Sequence, residues 1–233
     1  MSNPAPVIIP RWEYRVFGEG FGEAEARILS HGEAKARSSA ETYIVSSASP
    51  NNTKIRDGLM DIKKLENVNA DTLEQWNPVL KAGFPLTPEV LAQVAAAWGI
   101  VLPALSRDGY SFDEFRVEIA GVHPQLRAIA VGKERFGLTV DGCIVELANL
   151  TFDGTPIRTA AVEHEDPALV IATVRKLGLD AYPNTNYIKA LKRFAGPIAP
   201  SDQAAGIGPA AGAVAAAPAA GFGIPSSPGL PRP

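Results

Sequence analysis

Charged side chains in the second half of the chain recur at every second position. Lys133 and Arg135 stand two apart, as do Glu163 and Glu165, and Glu146 lies in a strand-like run between the two pairs. Because residues i and i+2 of a strand share a face, each pair directs two like charges to one side of a sheet. At about 7 Å and an effective dielectric of about 20, such charges repel by roughly 2 kcal/mol. Each pair would therefore gain from a ligand of opposite charge.

A single kind of ligand would satisfy both pairs if their strands curled around one cavity. Cationic side chains bind phosphate oxygens, and carboxylates bind Mg²⁺ or Mn²⁺, so a metal-chelated polyphosphate fits both. The same alternation is also found on the solvent face of an ordinary amphipathic sheet. The spacing by itself leaves the phosphate site and the solvated sheet face as alternatives.

The overall composition restricts the class of protein. The formal net charge of −3 and the pI near 5.7 argue against a general nucleic-acid binder, so any polyanion site must be local. Cys143 is the sole cysteine, which excludes an intramolecular disulfide and predicts a reducing, cytoplasmic compartment. Neither a signal peptide nor a membrane span is predicted from the sequence.

The chain divides into three predicted segments. Residues 1–9 form an N-terminal extension, residues 10–197 a folded domain, and residues 198–233 a tail rich in Ala, Gly and Pro. The tail has too few large apolar side chains to offset its ordering entropy, and its prolines and glycines interrupt helices. It is predicted to be disordered.

Alternating apolar patterns and turn signals predict eight strands in the folded domain, at residues 12–17, 41–46, 53–56, 59–65, 112–119, 127–140, 143–150 and 155–165. Capping and periodicity predict helices at 23–30, 71–80, 87–98, 166–178 and 187–194. A sheet of this length loses its exposed edges by closing. The predicted fold is therefore α+β: an antiparallel eight-stranded, tunnel-like β-barrel with a helical insert and C-terminal helices.

In this order, the elements resemble the CYTH superfamily of triphosphate tunnel metalloenzymes over residues 12–196. The resemblance is carried by motifs in the family's sequence order: Thr53-Lys54-Ile55-Arg56, Asp61-Ile62-Lys63, Lys133-Glu134-Arg135, Glu146, Glu163-His164-Glu165 and Asn186-Tyr187. None of these motifs is specific alone, and their order and spacing carry the resemblance.

The resemblance implies a site and an activity. It implies metal-dependent hydrolysis of a triphosphate-bearing small molecule, with cyclisation less favoured. The composition predicts no nucleic-acid or membrane partner, and a homodimer is left open. Mg²⁺ or Mn²⁺ would be the cofactor. The implied phosphate-binding residues are Lys54, Arg56, Lys63, Lys133 and Arg135, and the implied metal ligands are Glu13, Glu146, Glu163 and Glu165.

The first strand departs from the family pattern. Where the family has Glu-x-Glu-x-Lys, this chain has Glu13-Tyr14-Arg15-Val16-Phe17, so a cation replaces one carboxylate. Loss of a ligand weakens a site for a hard cation that takes about six oxygens. The departure favours the alternative of a non-catalytic module that binds a nucleotide or polyphosphate. A third hypothesis is an interaction scaffold whose charged faces are solvated.

Overall fold

A computed structural model describes residues 9–196, which contain eight strands and five α-helices. The strands are β1 (Arg11–Gly18), β2 (Lys35–Ser46), β3 (Asn52–Arg56), β4 (Leu59–Val68), β5 (Glu74–Gly83), β6 (Leu126–Val140), β7 (Cys143–Phe152) and β8 (Thr155–His164). The predicted tail, and the predicted N-terminal extension apart from Ile9, lie outside the described residues.

The helices are α1 (Glu23–Ser30), α2 (Pro88–Trp98), α3 (Phe112–Glu114, continued as a π-helix over Phe115–Ala120), α4 (Pro167–Leu177) and α5 (Tyr187–Ala195). Side-chain capping explains the starts of α2, α4 and α5: Thr87, Asp166 and Asn186 each accept a backbone N–H bond at a helix start. No helix within residues 9–196 has both the length and the apolar character needed to span a membrane.

The strands close into one antiparallel barrel, as predicted. Their order around it is β1-β5-β4-β3-β2-β6-β7-β8, and β8 pairs with β1 to complete the ring. The longest register joins β2 and β6 from Lys35↔Gly137 to Ser46↔Leu126. The predicted fold class is therefore confirmed, and every strand of the described chain has a partner on both sides.

The prediction of a helix at residues 71–80 is wrong, because this segment supplies most of β5. The Asp71–Glu74 pattern resembles a capping box, but the side chain of Asn69 instead accepts the N–H of Leu73 in a tight turn. Pro78 is incompatible with a helix interior and sits beside a register shift in the β4–β5 pairing. Proline was the signal against a helix.

The prediction of a strand at residues 112–119 is also wrong, because this segment is α3 and its π-helical continuation. Ser111 and Glu114 form a reciprocal capping box at its start. Phe115 and Ile119, four residues apart, are both buried, which is helical spacing. The strand count of eight was right because this error and the previous one offset each other.

The large apolar clusters lie outside the barrel, under the helices. Outward residues of β1, β7 and β8 pack against α1 and α4, and outward residues of β3 and β4 pack against α2 and α3. Burial of the outer face removes the need for an apolar interior. The barrel interior is thereby free to carry charge.

The exception is one end of the interior, which α5 occupies. Tyr187, Ile188 and Leu191 of this helix pack against side chains of β2, β6 and β7: Tyr43, Val45, Ile129, Val131, Ala148, Leu150 and Phe152. Along β6 the same face continues from Ile129 and Val131 to Lys133 and Arg135. Each of these strands therefore changes from an apolar end that holds α5 to a charged end.

Candidate functional site

The charged part of the barrel interior encloses a cavity of about 240 Å³. Residues of all eight strands and the start of α5 line it: Glu13, Arg15, Arg37, Ser39, Glu41, Tyr43, Asn52, Lys54, Arg56, Asp61, Lys63, Trp76, Lys133, Arg135, Glu146, Glu163, Asn186 and Tyr187. Seven are cationic and five are carboxylates. We call this cavity the tunnel.

The tunnel brings together eight of the nine residues predicted for the site. The ninth, Glu165, is exposed just beyond the end of β8 and lines a second cavity of about 330 Å³. Glu13, Lys63, Trp76 and Glu163 line both cavities, so the second cavity is continuous with the tunnel at this rim. The roles predicted for the nine residues stay predictions.

Arg15 lies at the centre of the tunnel's carboxylates, with only 4% of its surface exposed. Its Nε donates to Glu13 at 2.7 Å, and its Nη1 donates to Glu146 at 2.9 Å. Its Nη2 lies 3.7 Å from Glu163. Three strands, β1, β7 and β8, thus supply carboxylates to one guanidinium.

Glu146 is bound by two further cations of the tunnel. Lys133 Nζ lies at 2.8 Å and Arg135 Nε at 3.1 Å from its carboxylate, in addition to Arg15. Burial raises the pKa of Glu146, but Arg15 and Lys133 outweigh burial and hold that pKa at about 2. Glu146 is therefore ionised at any ordinary pH.

Glu13 and Glu163 stand directly opposite each other on β1 and β8, and their side chains are hydrogen-bonded. Burial raises the pKa of Glu163 to about 7, and the charge of Glu13 adds to this shift. Burial also raises the pKa of Glu13, but Arg15 reverses the effect and leaves that pKa below its usual value. Below about pH 7, Glu163 is therefore the carboxyl of this pair that carries a proton.

These six side chains form what we call the balanced wall: Glu13, Arg15, Lys133, Arg135, Glu146 and Glu163. Three cations face three carboxyls there, and ion pairs of 2.7 to 3.7 Å connect them through Arg15 and Glu146. The wall therefore satisfies most of its own charge without a ligand.

The side chains of the balanced wall do not fit a resident divalent cation. No group of three or more His, Cys, Asp or Glu side chains suited to a metal is found within residues 9–196. The oxygens of Glu13 and Glu146 that would be ligands already accept bonds from Arg15. A dication placed about 4 Å from the guanidinium would be repelled by about 8 kcal/mol at an effective dielectric of about 20.

The opposite side of the tunnel is different. Its cations are Arg37, Lys54, Arg56 and Lys63 on β2, β3 and β4, and its carboxylates are Glu41 and Asp61. We call this side of the tunnel, with its four cations and two carboxylates, the basic wall. Arg56 pairs with Glu41 at 3.2 Å, but no ion pair within the described chain involves Arg37, Lys54 or Lys63. This side carries an excess of two positive charges.

Burial affects the basic wall as well. Desolvation lowers the pKa of Lys54, and the nearby carboxylate of Glu41 offsets only part of that effect. An ammonium that has lost water and gained no ion pair is poised to bind an anion. Lys54 is thus suited to bind an anionic ligand.

Tyr187 extends from the first turn of α5 into the tunnel. Its ring stacks on Tyr43 at 5.2 Å, and the Arg15 guanidinium carbon lies 4.8 Å from the ring centroid. The hydroxyl is buried and has no hydrogen-bond partner within the described chain. A buried donor without a partner is costly, so this hydroxyl is available to a ligand oxygen.

A buried cluster fixes the start of α5. Asn186 caps the helix and donates to both carboxylate oxygens of Glu74 on β5, at 2.9 and 2.8 Å. Lys189 Nζ also binds Glu74, at 2.6 Å. These contacts fix the start of α5 to β5. Tyr187 packs against β2, β6 and β7 on the other side of the barrel, so its position is set from both sides.

Sequence reasoning missed the tunnel residues of β2 because it began this strand at residue 41. The alternation Arg37, Ser39, Glu41 and Tyr43 was present and extends the same face toward the N-terminus. Tyr187 was noted only as part of the family resemblance. Arg15 was noted as a departure, but its place among the carboxylates depends on the β1–β8 pairing.

Comparison with known proteins gave no matching family model and no matching curated protein. Several solved structures are similar. One is a candidate adenylyl cyclase from Hippeastrum described as having a dominant triphosphatase activity; the similarity has a TM-score of 0.44 and 12% identity, over 79% of this chain and 96% of that one. A protein from Pyrococcus horikoshii has a TM-score of 0.42 and 16% identity, over 76% and 98%.

A candidate adenylate cyclase from Bacillus halodurans has a TM-score of 0.42 and 14% identity, over 78% of this chain and 98% of that one. The closed ring of eight antiparallel strands is the architecture that the family resemblance implied. These structural similarities are distant, so the function of this barrel must be argued from its own tunnel residues.

Proposed function

We propose that the protein binds a triphosphate-bearing small molecule in its tunnel, with the phosphates against the basic wall. One observation carries the proposal: the basic wall has two more cations than carboxylates, and Arg37, Lys54 and Lys63 form no ion pair within residues 9–196. Neighbouring cations without counter-charges repel one another, and a polyanion removes that repulsion. The positive excess is thus matched to an anion of two or more charges.

The donors of the basic wall suit phosphate oxygens. A guanidinium and two ammonium groups on adjacent strands can make several charge-assisted hydrogen bonds to one chain of phosphates. The buried hydroxyl of Tyr187 supplies a neutral donor in the same tunnel. Together these groups support a linear polyphosphate over a single phosphate, because they are spread over three strands and α5.

Enclosure argues against a merely solvated sheet face. A solvent-facing strand would expose its charged side chains, yet Arg15 and Glu146 are 4% and 7% exposed. Charges are rarely buried this deeply without a structural or functional reason. The scaffold hypothesis therefore explains the tunnel less well than ligand binding does.

Isothermal titration calorimetry with tripolyphosphate tests the proposal. We expect Lys63→Met to lower the affinity by about 1.5 to 3 kcal/mol, the range for a hydrogen bond to a charged group, or roughly tenfold or more. Lys64→Met is the matched control, since Lys64 is the neighbouring lysine of β4 and lines neither cavity. Equal affinities for the two variants, or no binding by the parent protein, would contradict the proposal.

Hydrolysis of the bound triphosphate is a second candidate function. It is favoured by Glu163, which Arg15 approaches less closely than it does Glu13 or Glu146 and which lines both cavities. A carboxylate at this rim can orient a water molecule toward a phosphoryl group whose charge the cations neutralise. Phosphate release from tripolyphosphate, measured with and without Mg²⁺ or Mn²⁺, should then be slower in Glu163→Gln than in the parent protein. If the parent protein releases no phosphate under any condition, hydrolysis is contradicted and only the binding proposal stands.

A further inference from the structure

The guanidinium of Arg15 occupies the place where carboxylates from three strands converge. It binds Glu13 of β1 and Glu146 of β7 at hydrogen-bonding distance, and Glu163 of β8 lies 3.7 Å away. Nη1 is also 3.3 Å from the hydroxyl of Thr159, whose own hydrogen is donated to the backbone of Val16. The position that would suit a metal ion is filled by a side chain of the protein.

The backbone and surroundings hold Arg15 in this place. Its N–H donates to the side chain of Asn184 at 2.8 Å, and its carbonyl accepts the N–H of Thr185 at 2.7 Å. The ring of Tyr187 covers one side of the guanidinium. A side chain fixed at both its backbone and its charged group does not swing away to admit another cation.

We propose that Arg15 is a built-in substitute for the divalent cation, so that the tunnel binds polyphosphate in its metal-free form. This inference rests on the proposed function and specifies its ligand as a free polyphosphate anion rather than a metal chelate. Arg15 supplies the positive charge that keeps Glu13, Glu146 and Glu163 from repelling the phosphates. It thereby acts as a positioning residue, because its donors are occupied by carboxylates and it need not touch the ligand.

The guanidinium of arginine and Mg²⁺ bind carboxylates in different geometries. A guanidinium carries one permanent charge and five donors in a planar fork, which matches carboxylates from several directions. Mg²⁺ instead requires near-octahedral oxygens at about 2.0 to 2.1 Å, with waters retained. One cluster cannot serve both cations together, so loss of the arginine charge should convert it into a metal site.

The first experiment compares tripolyphosphate binding by the unmodified protein in EDTA and in excess Mg²⁺, by calorimetry at one ionic strength. We expect the affinity in EDTA to be equal to that in Mg²⁺ within threefold, or tighter. Binding that is at least tenfold tighter with Mg²⁺ would overturn the proposal, since it would show that the ligand enters as a chelate.

The second experiment titrates Mn²⁺ alone, followed by electron paramagnetic resonance, into the parent protein, Arg15→Gln and Arg135→Gln. We expect at least tenfold tighter Mn²⁺ binding by Arg15→Gln than by the parent protein. Arg135→Gln is the matched control: Arg135 also contacts Glu146, but its side chain is 39% exposed and lies off the centre of the carboxylates. It should gain no Mn²⁺ site.

The outcomes separate this inference from the proposed function. Failure of tripolyphosphate to bind in either buffer contradicts the proposed function, while the Mn²⁺ titration still decides the role of Arg15. Mn²⁺ binding by the parent protein as tight as by Arg15→Gln overturns the inference. If Arg15→Gln does not fold, Mn²⁺ titration of the parent protein and the EDTA comparison decide the question, and tight Mn²⁺ binding there counts against the inference.

Discussion

The balanced wall and the basic wall face each other across one tunnel and are built from the same residue types in opposite ways. On the balanced wall, Arg15, Lys133 and Arg135 all contact Glu146 within 3.1 Å. On the basic wall, Lys54 and Lys63 form no ion pair within the described chain. The lysines of the two walls are therefore not equivalent, although spacing along their strands made them look so.

The difference indicates that the two walls have separate roles. A paired network is organised before any ligand arrives, so the balanced wall contributes shape and charge neutrality. Unpaired cations lower the stability of the free protein, and a bound anion removes that cost. The basic wall therefore contributes affinity for the ligand. Substitutions should consequently affect folding on one side of the tunnel and ligand binding on the other.

The largest effect is expected for Arg15→Met, which should destabilise the protein by about 3 to 5 kcal/mol. Its removal leaves buried carboxylates without their cation, and breaking a buried pair from one side costs about this much. Urea unfolding followed by circular dichroism measures the change. Arg135→Met is the control and should cost about 1 kcal/mol or less, because that side chain is more exposed. Equal losses would show that the balanced wall is not organised around Arg15.

A smaller effect is expected in the pH dependence of stability. Because the pKa of Glu163 is raised to about 7 in the folded protein, the folded state holds a proton that the unfolded state releases near pH 4.5. Stability should therefore fall as pH rises from about 4.5 to 7, by no more than about 3 kcal/mol. Glu163→Gln should flatten this part of the curve, since glutamine cannot ionise.

Melting temperature measured from pH 4.5 to 8 checks this expectation, with Glu165→Gln as the control. Glu165 is exposed beyond β8 and should leave the curve unchanged. A parent protein whose stability rises through this window would contradict the raised pKa. An unchanged curve in Glu163→Gln would assign the transition to another group.

The smallest effect on folding is expected for the basic wall. Lys54→Met should raise the free energy of unfolding by about 0.5 to 2 kcal/mol, because it removes a partly desolvated ammonium that has no ion pair. The same change should weaken tripolyphosphate binding at least tenfold. Lys64→Met, on the outer face of β4, should alter neither property by much. If Lys54→Met lowered the stability and left the affinity for tripolyphosphate unchanged, the roles assigned to the two walls would be wrong.

Local patterns were enough to predict the barrel but not every strand in it. The Asp-Gly turns at residues 57–58 and 141–142 have positive φ at both positions, as a two-residue hairpin turn requires, and they fixed the β3–β4 and β6–β7 pairings. The two errors came from giving Asp71–Glu74 the weight of a capping box while overlooking Ser111–Glu114. Pro78 argued against a helix in the first segment, and Phe115, four residues before Ile119, argued for a helix in the second.

The sequence was enough to predict which residues line the candidate site, but not which of them contact each other. Alternation placed the charged side chains on one face of each strand, and the tunnel does gather eight of the nine. Which cation meets which carboxylate depends on register between strands far apart in sequence, such as Glu13↔Glu163. Alternation places Glu13 beside Arg15, but nothing local to Arg15 indicates that Glu146 and Glu163 would also surround it instead of phosphate.

Barrel closure has a consequence for the order of folding. The β1–β8 seam pairs Arg15 with Ala161, so nearly the whole folded chain must be synthesised before the ring can close. Pairings this distant in sequence are entropically expensive and slow to form. Hairpins such as β3–β4 and β6–β7 can form early, and the Arg15 cluster can assemble only with the last strand. A ribosome-bound chain that lacks β8 would present β1 as an open edge, with Arg15 lacking its contact to Glu163, a state that chaperones and proteases can recognise.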